Sequence, residues 1–184
     1  MAQLVHPDRR PCAADALSAW GATCLRAVGV DDEAARSVAG SLVQTSLRGI
    51  DSHGIARLPH YLNRIEQGSM RARPNIVVTP TGPCTAQVAG DRELGIVVAR
   101  RANEAAMQMA RTSGIGAVGV SDSSHCGAVG LYSRAAAQPG EVLLPGDPEL
   151  AVQAQRCSDG IPVEPGMRAE ILLWSERLKV AASV

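Results

Sequence analysis

The spacing of apolar residues changes at Pro74, and this change restricts the chain to folds that contain both helices and strands. Before Pro74, apolar side chains recur every three or four residues in segments that end at Gly29, Gly49 and Gly68, a pattern that predicts amphipathic helices. After Pro74, the apolar run 76–79 and a second run beyond the next proline-rich turn are typical of two short strands. We therefore expect a helical first part followed by an α/β part.

The α/β part continues with a long helix, a strand and a polar loop. Helical spacing over 94–111 predicts the helix, and the apolar run 115–120 predicts a buried strand. The segment 121–127 is too polar and turn-rich to extend that strand, so we expect a loop there. A strand at 142–144 and two further helices, the second over 165–179, complete the prediction.

The glycine pattern at the start of the strand predicted at 115–120 has the residue spacing of a dinucleotide-binding fingerprint, but the elements on either side of it differ. Gly114, Gly116 and Gly119 have the spacing G-x-G-x-x-G. In that fingerprint the glycines follow a strand and open a helix, whose N-terminus meets the pyrophosphate. Here they follow a predicted helix and open a strand. We therefore interpret them as a helix end and a site of close strand packing.

The composition excludes several classes of partner. The 184 residues carry 18 basic and 18 acidic side chains, so there is no electrostatic basis for binding nucleic acid or an anionic membrane surface. Aromatic residues make up only 2% of the chain, which excludes base-stacking platforms. No segment approaches the roughly 18 apolar residues of a membrane span. The five cysteines are scattered and odd in number, which is typical of a reducing compartment, so we expect a cytoplasmic protein.

A histidine and an arginine in the segment 48–57 could together bind a small acid. His53 and Arg57 are four residues apart and would share one face of a helical turn. An arginine binds a carboxylate with two hydrogen bonds, and a histidine can transfer a proton at the neighbouring oxygen. This pairing suits a 2-hydroxy or 2-oxo acid. A capped helix start with solvated side chains fits the same spacing.

A second histidine follows the strand predicted at 115–120, at the end where open α/β sheets place their ligands. His125, the hydroxyl of Ser124 and the N–H groups of the next helix start could hold a phosphate or a nicotinamide amide. A polar turn with a surface histidine fits these residues equally well. For Cys126, the absence of metal-ligand spacing and of a nearby orienting group disfavours a metal site or a thiol nucleophile.

Three spaced motifs follow one another along the chain. They are Arg48-Gly49-x-x-Ser52-His53-Gly54-x-x-Arg57-Leu58-x-x-Tyr61, Gly90-Asp91-x-x-Leu94-Gly95 and Ser124-His125-x-Gly127-Ala128. Together they resemble the malate/L-lactate dehydrogenase family, which is distinct from the Rossmann-type lactate dehydrogenases and includes ureidoglycolate, sulfolactate and diketogulonate oxidoreductases. The tail, in 141–146 and Gly160-Ile161, is similar to the family's C-terminus.

The resemblance implies a fold, a reaction and partners. The implied fold is α/β, with a helical domain built from the N- and C-terminal parts and a mixed α/β cofactor-binding domain of the non-Rossmann type. The implied reaction is hydride transfer between NAD or NADP and C2 of a small 2-oxo or 2-hydroxy acid. The family also implies a homodimer.

The resemblance further assigns roles to residues of the first motif. His53 would be the proton donor and acceptor at the substrate oxygen, and Ser52 its hydrogen-bonded neighbour. Arg57 would bind the substrate carboxylate, with Arg48 assisting.

In the third motif, Ser124, His125 and Gly127 would line the nicotinamide and the active site. His125 is the catalytic base in some members of the family, so the choice between His53 and His125 as the main proton-transfer group stays open.

The resemblance also implies that a central segment is missing, because full-length members run to roughly twice this length. Residues 1–73 would form the N-terminal helical part, 74–138 a partial cofactor-binding domain, and 139–184 a C-terminal segment that packs on the N-terminal helices. The family's orienting aspartate and most of its dinucleotide contacts would lie in the missing stretch. We therefore expect an oxidoreductase with impaired activity or, alternatively, a catalytically inactive remnant that acts as a helical dimerising module.

Overall fold

The N-terminal part of the protein is helical. A computed structural model describes residues 10–136 and 147–182. The first elements are the short strand β1 (Arg10–Cys12) and the helices α1 (Ala14–Ala27), α2 (Asp32–Leu47) and α3 (Leu58–Glu66). Two single 3₁₀ turns, Asp51–His53 and Ile55–Arg57, connect α2 to α3. The predicted helical first part is confirmed.

A small mixed sheet with helices follows. Its elements are β2 (Val77–Gly82), β3 (Thr85–Glu93), α4 (Gly95–Ser113), β4 (Ala117–Ser123) and α5 (Gly130–Ala136). The strand order is β2-β3-β4, with β2 antiparallel and β4 parallel to β3. Helix α4 crosses over between the parallel strands and packs on the sheet. The fold is therefore mixed α/β, as predicted.

The C-terminal segment packs on the N-terminal helices. It comprises α6 (Asp147–Asp159), β5 (Ile161–Val163) and α7 (Pro165–Leu178). Strand β5 pairs antiparallel with β1, α6 contacts α2, and α7 contacts α1 and α3. The buried indole N–H of Trp20 in α1 donates to the Ser175 hydroxyl in α7 at 2.7 Å. The two ends of the chain thus form one helical unit.

The hydrophobic core lies mainly in this helical unit. The apolar faces of its helices bury Trp20, Leu25, Leu62 and Trp174 almost completely, and each such side chain contributes about 1.5–3 kcal/mol on burial. The sheet has a much smaller core, which consists of Val88, Val98 and Ala102 in the described part of the chain. The helical unit therefore supplies most of the apolar stabilisation and anchors the sheet.

The strand after α4 differs from its prediction. It covers Ala117–Ser123 rather than 115–120, and it is not buried, since Val120 is 45% exposed. Within residues 10–136 and 147–182, β4 is an edge strand and α4 covers one face of the sheet. An apolar run shows that a strand could be buried, but only the neighbouring layers decide whether it is.

The remaining differences concern short strands. Strands β1 and β5 were not predicted, because three residues that include a proline show no alternation of apolar and polar side chains. The strand predicted at 142–144 lies outside the described residues.

Candidate active site

The first wall of the site is the loop between α2 and α3. Its two 3₁₀ turns, Asp51–His53 and Ile55–Arg57, are separated by Gly54. A Cβ atom on Gly54 would overlap the hydroxyl of Ser46 in α2, and this hydroxyl also accepts the Ile55 N–H at 3.0 Å. The glycine therefore allows the loop to lie directly on α2, which positions the residues on either side of it.

His53 and Arg57 lie on this loop and are connected through Ser52. The Ser52 hydroxyl lies 2.9 Å from Nδ1 of His53. Nε of Arg57 donates to the Ser52 carbonyl at 2.7 Å. The single helical turn expected from the spacing does not form, because Gly54 has ψ −149° and breaks it into two turns. The two side chains nevertheless belong to one connected loop.

The second wall is the loop that follows β4. The hydroxyl of Ser124 donates to the Glu93 carbonyl and accepts the Gly95 N–H, each at 2.9 Å. A Cβ atom on Gly95 would overlap the Ser124 carbonyl, so the loop lies directly against the N-terminus of α4. Both the donor and an acceptor site of the Ser124 hydroxyl are thus used within the chain, and they hold the loop in place.

His125 connects the two walls. Its Nδ1 lies 2.7 Å from the hydroxyl of Tyr61 in α3, and the backbone N–H of Gly127 donates to the same nitrogen at 3.3 Å. The ring centroids of His53 and His125 are 5.3 Å apart. Gly127 has φ +74°, a conformation that favours glycine, and this bend returns its N–H to the ring. Two histidines from distant parts of the sequence therefore face each other.

The electrostatics of the site favour a neutral His125. Burial is the largest cause that lowers the pKa of His125, followed by the positive charge of Arg57 and the neighbouring His53 and His60. A histidine whose pKa lies below its ordinary value carries no charge at pH 7. The permanent charge beside the two imidazoles is then that of the Arg57 guanidinium, which suits an anionic carboxylate.

A side chain of the C-terminal segment holds the first wall in place. Arg156 of α6 is only 5% exposed, and its Nη1 and Nη2 donate to the two carboxylate oxygens of Asp51 at 2.6 and 3.2 Å. Nη1 also donates to the Ser46 carbonyl. Asp51 directly precedes Ser52 and His53. No local spacing predicts this contact, because Asp51 and Arg156 are 105 positions apart.

The structure brings Ser52, His53, Arg57 and His125 into one cluster. Arg48 is half-buried at the C-cap of α2, ahead of the first 3₁₀ turn. Tyr61 belongs to the first motif but received no role from it. The available signal was its position four residues after Arg57, a spacing at which two residues of a helical segment share one side.

The described residues include a polar loop beside His53 that could hold a ligand, but no phosphate loop of the G-x-G-x-x-G type. Ser124, His125 and the segment around Gly127 form a half-buried polar loop beside His53. The G-x-G-x-x-G segment does not form a phosphate loop, since Gly114 ends α4 with φ +76° and Gly116 packs against a carbonyl of α4. The interpretation of these glycines as a helix end and a close packing site is confirmed.

Two solved structures share this architecture. The malate dehydrogenase of Pyrococcus horikoshii OT3 has a TM-score of 0.70 and 35% identity, and the match covers 73% of this chain and 38% of that one. The sulfolactate dehydrogenase of Methanocaldococcus jannaschii has a TM-score of 0.66 and 32% identity, with coverages of 68% and 36%. The fold therefore defines the class: over the matched part, it is that of these dehydrogenase structures.

The sequence comparisons identify the family. Residues 12–142 match the family model described as malate/L-lactate dehydrogenase. The malate dehydrogenase of Pyrococcus abyssi is 38% identical over 128 residues, which are 70% of this chain and 35% of that protein. The ureidoglycolate dehydrogenase (NAD(+)) of Escherichia coli K12 is 37% identical over 112 residues, 61% of this chain and 32% of that protein. The chain belongs to the malate/L-lactate dehydrogenase family.

The chain spans about a third of the length of the curated relatives that it matches, with 35% for the first and 32% for the second of those just named. None of the helices in residues 10–136 and 147–182 combines the length and the apolarity that crossing a bilayer requires.

Proposed function

We propose that this chain carries the substrate-binding residues of an oxidoreductase that acts on a small 2-oxo or 2-hydroxy acid. One observation supports this proposal above all others: the imidazoles of His53 and His125 face each other at 5.3 Å, with the charge of Arg57 close enough to lower the pKa of His125. A carboxylate and an oxygen on the adjacent carbon match a guanidinium beside an imidazole. Family membership supports the same chemistry.

The proposed roles follow from the hydrogen bonds of each side chain. Arg57 binds the substrate carboxylate through its terminal nitrogens, because its Nε is already bonded to the Ser52 carbonyl. His53 transfers the proton at the substrate oxygen. Its Nδ1 faces the Ser52 hydroxyl, which can either donate or accept, so the ring can change its protonation state without losing this bond. Arg48 assists in holding the negative charge of the substrate.

The cofactor in this proposal is NAD or NADP, whose nicotinamide supplies or accepts the hydride at C2 of the substrate. Among the residues of this chain, Ser124, His125 and Gly127 would lie beside the nicotinamide. The Ser124 hydroxyl is bonded to the backbone at Glu93 and Gly95, so its part is to position the loop that carries His125.

We expect turnover to be low. The partner of His53 Nδ1 is an uncharged hydroxyl, whereas a carboxylate would both orient an imidazole and stabilise its charged form. In a serine protease triad, removal of the orienting carboxylate's charge lowers kcat about 10⁴-fold. A reduction by orders of magnitude relative to an enzyme with an orienting carboxylate is therefore the expected result.

Fluorescence titration of the purified chain with NADH and with NADPH tests this function, followed by addition of a panel of 2-oxo acids. Saturable binding, with oxidation that disappears in His53→Ala but persists in Arg36→Gln, a variant of an exposed residue in α2, would support it. If circular dichroism shows that the chain is folded and it binds neither cofactor, the proposal that it is an enzyme is refuted.

The second candidate is a non-catalytic module that dimerises through its helices. The observation that favours it is the outer face of α7, where adjacent Leu172 and Leu173 are 50% and 58% exposed. Apolar side chains exposed together on a helix are typical of association surfaces. Sedimentation equilibrium that shows a dimer without cofactor affinity would support this candidate, and a monomer would refute it.

The cytoplasmic location expected from the sequence remains part of the proposal. All five cysteines are free in the structure, which fits a reducing compartment.

A further inference from the structure

The hydroxyl of Tyr61 has no part in the roles proposed above, yet it occupies a well-defined place in the site. Tyr61 is completely buried, and its ring is held between α3 and the helical core. Its hydroxyl lies 2.7 Å from Nδ1 of His125. A buried hydroxyl without a partner is costly, so this contact satisfies Tyr61 while it also fixes the orientation of the histidine.

The backbone N–H of Gly127 determines the direction of this hydrogen bond. It donates to Nδ1 of His125 at 3.3 Å, and an amide N–H can only donate. Nδ1 must therefore present its lone pair, so the Tyr61 hydroxyl donates to it as well. Because a neutral imidazole carries one N–H, the proton of His125 lies on Nε2.

We propose that Tyr61 is a positioning residue that, together with the Gly127 N–H, holds His125 as the neutral Nε2–H tautomer. His125 then acts as a hydrogen-bond donor toward the substrate oxygen, while His53 exchanges the proton. The tautomer is a property of the folded chain alone, and its use toward a substrate oxygen rests on the function proposed above. This assignment gives the two facing histidines different tasks.

The surroundings of His125 agree with this assignment. The charged and titratable groups that face it are Arg57 and His53 from the first wall, and His60 and Tyr61 from α3. The positive charge of Arg57 disfavours a second proton on the ring. Burial raises the pKa of Tyr61 to about 12, so its hydroxyl keeps the proton that it donates.

Nitrogen-15 NMR of the imidazoles in the full chain tests the proposal without requiring turnover. His125 is assigned by comparison with His125→Gln. In the unmodified chain, we expect its Nε2 to be protonated and its Nδ1 unprotonated at pH 7. A proton on Nδ1 would overturn the proposal whether or not any variant folds.

The variant Tyr61→Phe removes the donor and keeps the ring. Since a hydrogen bond of this kind has a net value of about 0.5–1.5 kcal/mol, its loss should raise the proton affinity of His125 roughly two- to tenfold, while the Gly127 N–H still donates to Nδ1. The matched control is Tyr132→Phe, because the Tyr132 hydroxyl donates to the Cys126 carbonyl rather than to a ring nitrogen. An unchanged His125 titration in folded Tyr61→Phe would overturn the proposal.

A turnover assay separates this proposal from the proposed function. If the chain oxidises NADH with a 2-oxo acid, Tyr61→Phe should lower kcat more than it raises KM, because the substrate carboxylate still has Arg57. If no turnover occurs but the NMR result is as expected, the proposed function fails while the assignment of the tautomer stands.

Discussion

The contact between Arg156 and Asp51 predicts that replacing either residue lowers the stability of the fold, but by different amounts. The guanidinium of Arg156 is 5% exposed, whereas the Asp51 side chain is 41% exposed. Asp51→Asn therefore leaves a buried charge without its counter-ion. Arg156→Met instead leaves a carboxylate that water can reach. We expect the aspartate variant to lose more stability than the arginine variant.

The size of each loss follows from these exposures. Removal of one partner from a fully buried ion pair costs about 3–5 kcal/mol, and an exposed pair contributes about 0–1 kcal/mol. Because Asp51 is partly solvated and the guanidinium keeps its bond to the Ser46 carbonyl, we expect about 2–3 kcal/mol for Asp51→Asn. For Arg156→Met, the loss of two hydrogen-bonded partners should cost about 1–2 kcal/mol.

Equilibrium unfolding in urea measures both losses. The fluorescence of Trp20 and Trp174, which are buried in the helical unit, reports the transition. The control is Arg36→Gln, which removes a surface ion pair within α2 and should cost about 0.3–0.5 kcal/mol. Equal losses for the two single variants, or a double variant whose loss is the simple sum, would refute the reasoning.

Two further predictions concern buried polar groups. Burial, reinforced by the nearby acids Asp31 and Asp91, raises the pKa of Glu93 from 4.5 to about 7. Between these pH values the native state keeps a proton that the unfolded chain releases. The free energy of unfolding therefore falls as pH rises through this window. Relative to the unmodified chain, Glu93→Gln should therefore gain about 3 kcal/mol in unfolding free energy at pH 8 and almost nothing at pH 4. A difference in urea unfolding that does not change with pH would contradict this. Ser175→Ala removes the buried acceptor of the Trp20 indole N–H and should cost about 1–3 kcal/mol in unfolding free energy. If Ser175→Ala costs as much in a Trp20→Phe background as in the unmodified chain, the hydrogen bond is not the cause of the loss.

Much of the fold could be predicted from local patterns in the sequence. The helices α1, α2 and α3 follow from apolar stripes that end at glycines, because helical periodicity and termination depend on residues a few positions apart. The position of the G-x-G-x-x-G segment, after a helix and before a strand, also argued against a phosphate loop. The three motifs led to the correct family.

Short-range spacing predicted the helices and the change to a sheet, and the resemblance of the three motifs indicated the family. Three features depend on tertiary packing instead: β4 lies exposed at a sheet edge, Arg156 contacts Asp51, and Tyr61 contacts His125. One cause accounts for all three. Burial depends on which layers cover a strand, and a hydrogen bond between distant residues depends on how whole elements pack, so neither leaves a periodic signal in the chain.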